Sequence, residues 1–331
     1  MDYSQILSQQ FNIKEEYAKN IITLLDDGNT IPFIARYRKE MHGSMDDQLI
    51  REFAEKLEYL RGLDKRRDEI RSLIDAQEKL TDEINLALDK AATLSELEDI
   101  YRPYRPKRKT RASIAKEKGL EPLANDILKQ EKGFDPSKSA VDYIDEEKGV
   151  TSVEDAIQGA MDIIAELVSD NAEIRKRIRN LTNANGVLVS VATDEEKDSV
   201  YKNYYDYKEP VKKIAGHRVL AVNRGEKEGF LKVSVETDIE KPLNSIFRAM
   251  ITDKNQLCSD IIREACTDAY QRLIYPSIER EVRNDLTDTA SENAMKVFAV
   301  NLKQLLMQPP VKGKTVLALD PGYRTGCKTA V

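Results

Sequence analysis

Leu49, Phe53, Leu57, Leu60, Leu63, Ile70 and Ile74 recur at intervals of three, four or seven residues. Only an α-helix brings such positions onto one face. Running from 46 to 77, this helix would be about 48 Å long at 1.5 Å per residue. It therefore reads as a scaffold between lobes rather than as part of a compact bundle. The rest of the composition agrees. Trp is absent, Gly (14) and Pro (11) are sparse, and 33% of the 331 residues are charged with both signs interspersed. This suits amphipathic helices better than a β-rich or disordered chain. The expected fold is mainly α, multi-lobed and helical, with minor β elements.

Local signals place the other elements. Asn12-x-x-Glu15, Ser44-x-x-Asp47, Ser95-x-x-Glu98 and Ser152-x-x-Asp155 have the spacing of capping boxes. The helix after Ser152 would bury Ile157, Met161, Ile164 and Leu167 or Val168. Gly28 sits where a helix should stop, and Pro32 opens an apolar segment from Ile31 to Ile34. Residues before proline avoid the α region, so Tyr101 to Pro106 is expected to be extended. Val187 to Val191 reads as a strand. A turn is expected at Arg224 to Gly229, and a strand from Phe230 to Val235. Helical periodicity resumes from about 244 to 306 and ends at Pro309-Pro310. Val316 to Leu319 has the unbroken apolar character of a buried strand, followed by a turn from Asp320 to Gly326.

Charge is uneven. The chain carries a net −6, yet residues 101–118 hold eight Lys/Arg against one Glu, a local +7, leaving about −13 elsewhere. Within this island Tyr101, Arg102, Tyr104, Arg105, Lys107, Arg108, Lys109 and Arg111 have the chemistry of a single-strand nucleic-acid contact. The cations would neutralise phosphates, the tyrosines stack on bases, and the prolines stiffen the backbone. Two other readings stay open: the arginines pair with acidic helices of the same protein, and the tyrosines are core anchors.

The chemistry of most enzymes has no foothold. Cys258, Cys266 and Cys327 form no CxxC pair, and His42 and His217 have no sequence-local catalytic partners. No cofactor, metal or small-molecule substrate is expected. The cysteine spacing suggests reduced thiols. With no apolar run near 18 residues and no basic n-region followed by an apolar stretch, a cytoplasmic location without membrane contact is expected.

Five stretches resemble the Tex family of bacterial transcription accessory proteins, and they follow the family's order along nearly the whole chain. They are Thr30-Ile-Pro-Phe-Ile-Ala-Arg-Tyr-Arg-Lys-Glu40, Leu94 to Ala112, Ile114 to Ala124, His217 to Glu226, and Leu319-Asp-Pro-Gly-Tyr-Arg-Thr-Gly326. The resemblance implies a Tex-type N-terminal region over 1–195, with a helix-turn-helix-like unit and the long scaffold helix. It implies a central helical region with a small β insertion over 196–308. Residues 309–331 would be the first strands of an RNase H-like (YqgF) domain, cut short. It further implies a non-enzymatic, nucleic-acid-binding transcription factor, with RNA as the expected ligand. Docking on RNA polymerase or the ribosome is the alternative. A metal-dependent nuclease would need several converging carboxylates, and Asp320 is the one candidate.

Three further groups concentrate charge or aromatic rings. Arg175, Lys176, Arg177 and Arg179 fall around more than one face of a helix, which suggests a solvated surface. Arg36, Arg38 and Lys39 suggest a structural role. Tyr201, Tyr204, Tyr205 and Tyr207 suggest packing, with base stacking as the alternative.

Overall fold

The computed structural model describes residues 2–106, 108–252, 254–309, 312–322 and 326–331. It is mainly helical with two small antiparallel sheets. The chain packs into two compact units, Met1–Leu181 with Asp238–Ile278, and Thr182–Thr237 with Glu279–Val331.

The first unit opens with α1 (Tyr3–Phe11), capped by the Asp2 carboxylate. Asn12 closes this helix in the left-handed conformation, φ 51°. It therefore does not open the expected capping box, and α2 (Glu15–Asp26) starts at Lys14 without a side-chain cap. Asn tolerates that backbone region better than most residues, so the C-cap role wins. Pro32 occupies the first turn of α3 (Ile31–Tyr37), where its missing N–H is harmless. The short α4 (Lys39–His42) follows. Buried His42 ties it to α3, with Nε2 3.1 Å from the Ile34 carbonyl. Gly43 (φ 67°) lies under the Tyr17 ring, where a Cβ would sit 2.6 Å from a ring carbon.

Helix α5 (Asp47–Asp75) is the expected scaffold, and Asp46 rather than Ser44 caps it, accepting from the Leu49 N–H at 2.8 Å. Ser44 is instead spent in the turn at φ 63°. The stripe serves two cores. Ile50, Phe53, Leu57 and Leu60 close the N-terminal helices. Leu63, Ile70 and Ile74 pack against α6 (Asp82–Lys90) and α7 (Leu94–Tyr101). The seven-residue gap in the stripe holds buried Arg67, which donates to the carbonyls of Leu88 (2.9 Å) and Ala91 (3.0 Å) and pairs with Asp64. Those carbonyls end α6, where positive charge is favoured. Thr93, not Ser95, caps α7, and Glu96 accepts from the N–H of the preceding Ala92 at 2.8 Å. Glu98 is then free for other partners.

A 3₁₀ turn, Arg102–Tyr104, continues α7, which corrects the expected extended segment. Arg102 stays helical before Pro103, at φ −51° and ψ −44°. Burial of Tyr101 and pairing of Arg102 with Asp170 outweigh the pre-proline preference. The preference does hold at Arg105, before Pro106, at ψ 133°. Then come α8 (Arg111–Glu117), α9 (Glu121–Lys129), α10 (Pro136–Ala140) and α11 (Val153–Asp170), the last capped by Ser152 as expected. Helix α11 buries Ile164 and Val168, while Leu167 is exposed. Helix α12 (Ala172–Asn185) leads out of this unit.

The second unit holds β1 (Val187–Ala192), β2 (Asp206–Pro210), α13 (Gly216–Lys227) and β3 (Leu231–Glu236). Strand β1 is central and antiparallel to both neighbours. The expected turn at 224–229 shrinks to Glu228 and Gly229 (φ 80°), because α13 continues through Lys227. The first unit resumes with α14 (Glu240–Met250) and α15 (Gln256–Asp268), followed by a π-helical stretch, Ala269–Ile274. Nothing in the sequence signalled that stretch. The last helix is α16 (Tyr275–Leu306). Strands β4 (Ala318–Gly322) and β5 (Gly326–Ala330) form a hairpin. Val316 and Leu317 precede β4, and with Leu319 they are exposed rather than buried. Asp320 to Gly322 lie in β4, and the remainder of the expected turn, 323–325, lies outside the described residues. Among the described residues, no helix is long and apolar enough to cross a membrane.

Cys258 and Cys266 are fully buried in α15, and burial pushes the Cys266 thiol up to about 12. Cys327 is exposed. A thiol-specific disulfide reagent should therefore modify the folded chain at Cys327 alone, because the thiolate is the reactive species. The other two thiols should react only after denaturation. Fast modification of all three in native buffer would contradict the packing around α15.

Candidate nucleic-acid interface

The basic island is built around a fixed tyrosine. Tyr101 is 5% exposed, and two guanidiniums lie over its ring, Arg66 at 5.7 Å and Arg105 at 5.6 Å from the centroid. Glu98 binds both arginines, taking the Arg66 Nε–H at 2.7 Å. Tyr101 is therefore a core anchor, with no face left for a base. Tyr104 is half-buried against the same core. Arg102 donates from Nε to Asp170 at 3.1 Å. Burial, with Arg175 close by, pulls the Arg102 guanidinium below its usual value.

The far end of the segment is equally tied. Thr110 caps α8 in a reciprocal box with Ser113, and its hydroxyl donates to Glu166 at 2.9 Å. Arg102, Arg105, Thr110, Glu166 and Asp170 line a cavity of about 260 Å³. Further along, Lys116 pairs with Glu121 at 2.9 Å, and Lys118 donates to the Gly149 carbonyl at 2.7 Å.

Much of the island's charge is thus matched internally. What faces solvent is the short stretch between the two anchors. Arg108, Lys109 and Arg111 are exposed. Lys109 pairs with Glu117, at 3.7 Å, with both side chains about two-thirds exposed. Such a pair is worth little in water and is easily exchanged. Lys107 lies outside the described residues.

In the cluster at 175–179 the solvated reading holds for Lys176 and Arg177, which are exposed, and fails for Arg175 and Arg179. Arg175 is 1% exposed, and it converges with Arg179 on one buried carboxylate, Asp99, at 2.5 and 2.7 Å. Arg175 also donates to the Ser277 hydroxyl at 2.9 Å. Spacing of four residues puts 175 and 179 on one face, and the partner Asp99 is 76 residues away in sequence. Lys176 pairs with Glu96 at 2.7 Å and holds that carboxyl below its usual range.

The motif from His217 to Glu226 is likewise taken up by packing. Asn223 donates to Thr287 at 2.8 Å, Glu226 pairs with Arg283, and Arg283 donates to the Val233 carbonyl at 2.9 Å. A Cβ at Gly225 would lie 2.5 Å from the Leu231 side chain. The tyrosines of 201–207 pack as expected, with Tyr201 buried and Tyr204 edge-on to Tyr207 at 5.2 Å. His217 is exposed. Asp320 sits on the exposed hairpin. Among the described residues, no three His, Cys, Asp or Glu side chains are grouped as a metal site would need.

Comparison with known proteins gives two family-model matches, Tex-like protein N-terminal domain over residues 1–75 and Tex central region-like over 131–298. The chain is similar to an uncharacterized Bacillus subtilis protein, YdcI, at 45% identity over all of this chain and 47% of that protein. It is similar to the transcriptional accessory protein Tex of Neisseria gonorrhoeae, at 37% identity over all of this chain and 44% of the relative. It is also similar to the human S1 RNA-binding domain-containing protein 1, at 32% identity over all of this chain and 34% of the relative. The chain thus spans less than half the length of these relatives.

Proposed function

The chain belongs to the Tex family, and on that premise we propose that it is a non-enzymatic, nucleic-acid-binding transcription accessory protein of the cytoplasm. Its ligand is RNA or another single strand, held by phosphate contacts. The observation that carries the reading is the loop between Arg105 and Arg111. Arg105 is held by Glu98 and Thr110 by Glu166; Arg108 and Lys109 stand in solvent between these anchors, and Arg111 is exposed just past the second. Cations held this way give affinity without sequence choice, because phosphates carry no base information. Arg102, Arg105, Tyr101 and Tyr104 hold the start of the loop in place. The gonococcal and human relatives, a transcriptional accessory protein and an S1 RNA-binding domain-containing protein by name, support this assignment.

Within the proposal, 309–331 begins a YqgF-type RNase H-like domain, and 1–195 carries a helix-turn-helix-like unit. No membrane, cofactor or small-molecule substrate takes part. A second reading, docking on polymerase or the ribosome, is favoured by one observation. The far end of α16 leaves Met295, Phe298, Leu302, Leu305 and Leu306 exposed.

Fluorescence anisotropy with an unstructured RNA strand tests the main reading. Affinity should fall linearly with salt on a log–log plot and depend little on base identity. The same strand should stay intact for hours in Mg²⁺ or Mn²⁺. Cleavage that Asp320→Asn abolishes would overturn the non-enzymatic part.

A further inference from the structure

The most exposed aromatic–cationic cluster of the first unit lies away from the 101–118 island, where α3 meets α4. Tyr37 is 64% exposed. Arg36 and Lys39 beside it are exposed, and Arg38 is half-buried. The Tyr37 ring leans on Phe33, centroids 5.4 Å apart, and the Arg38 guanidinium covers the Phe33 ring at 5.2 Å. Arg38 also donates to the Tyr37 carbonyl at 3.2 Å.

Two properties set this corner apart. The first is electrostatic. Arg102, Arg105, Lys116, Arg175, Lys176 and Arg179 each have a carboxylate partner. Among the described residues, no acidic side chain pairs with Arg36, Arg38 or Lys39, and the neighbouring carboxylate, Glu40, is exposed. Three unneutralised cations in four residues concentrate a local positive potential. The second is rigidity. Buried His42 fastens α4 to the Ile34 carbonyl, Asn20 donates to the Met41 carbonyl at 3.0 Å, and Gly43 is pressed under Tyr17. A large aromatic left in water on so fixed a backbone has already lost most of the freedom that binding would remove.

We infer that Arg36, Tyr37, Arg38 and Lys39 form a second binding site for a single-stranded nucleic acid, with Tyr37 stacking on an unpaired base and the three cations on adjacent phosphates. The inference rests on the nucleic-acid reading above and adds a site to it. Every base has a π-face, so the stack is sequence-tolerant. A duplex offers no unpaired base and should lose that part of the affinity.

The test uses the 331-residue chain and a fluorescein-labelled oligouridylate at several salt concentrations. Tyr37→Ala should weaken binding about 5- to 150-fold, the range for one base stacked on an aromatic ring. Tyr37→Phe should stay close to the parent. Arg36→Gln with Lys39→Gln should flatten the slope of log K against log salt by about 1.4, at ~0.7 per contact on a single strand. Melting temperatures should be unchanged, because these side chains are exposed. If the parent binds and all three variants match it, this site is refuted while the general reading stands. If the parent does not bind the strand at all, both fall. If polyglutamate competes as well as the RNA and Tyr37→Ala changes nothing, the corner binds an acidic protein segment and the inference is overturned.

Discussion

Asp99→Ala is expected to lower the unfolding free energy of the first unit by about 3–5 kcal/mol, the usual cost of removing one partner from a buried ion pair. Asp99 is 5% exposed and holds two guanidiniums at once. Removing it takes a buried carboxylate away from Arg175, at 1% exposure, and from Arg179 at once. Losing the counter-charge of a desolvated guanidinium is costly. A surface control separates this from a general charge effect. Glu69→Ala removes a partly exposed partner of Arg66, with side chains 28% and 46% exposed, and should change stability by less than about 1 kcal/mol. Urea denaturation followed by circular dichroism reads both. A cost below ~1 kcal/mol for Asp99→Ala would mean that the two arginines reach solvent.

The legibility of this fold depended on the range over which each signal acts. The stripe from Leu49 to Ile74 was plain because helical periodicity is local, and α5 runs from Asp47 to Asp75 as it required. Strand β1 and the cap at Ser152 were legible for the same reason. Three caps lie two residues from where the spacing put them. Asx and Ser/Thr residues crowd each boundary, and which one caps is decided by backbone geometry, such as the left-handed turn at Asn12. The site was harder. Basic side chains can be counted in a sequence, but their partners cannot. Glu98 and Asp170 neutralise Arg105 and Arg102 from other elements. Asp99 draws Arg175 and Arg179 inside from a helix 76 residues away. Charge density therefore overstated the 101–118 island and understated 36–39, where Tyr37 and its cations remain in water. The signal the sequence carries there is an aromatic, Tyr37, set among Arg36, Arg38 and Lys39.

The second large effect concerns affinity. Arg108→Glu, Lys109→Glu and Arg111→Glu together should weaken binding of an unstructured RNA strand by more than an order of magnitude at low salt. Each replacement removes a phosphate contact and adds a repulsive charge. Stability should barely move, because the three side chains are exposed and the Lys109–Glu117 pair is solvent-accessible. Extending the set to Arg105→Glu should in contrast lower the melting temperature, since Arg105 covers the buried Tyr101 ring and pairs with Glu98.

The most direct measurement is the salt dependence of RNA affinity for the parent chain and the 108/109/111 triple variant, side by side. Three lost phosphate contacts at ~0.7 each should make the log K against log salt slope of the variant shallower by about 2, with its melting temperature unchanged. An unchanged slope with a lowered melting temperature would contradict the account. It would show that these cations serve the fold, as Arg102 and Arg175 do, and would move the assignment to protein docking.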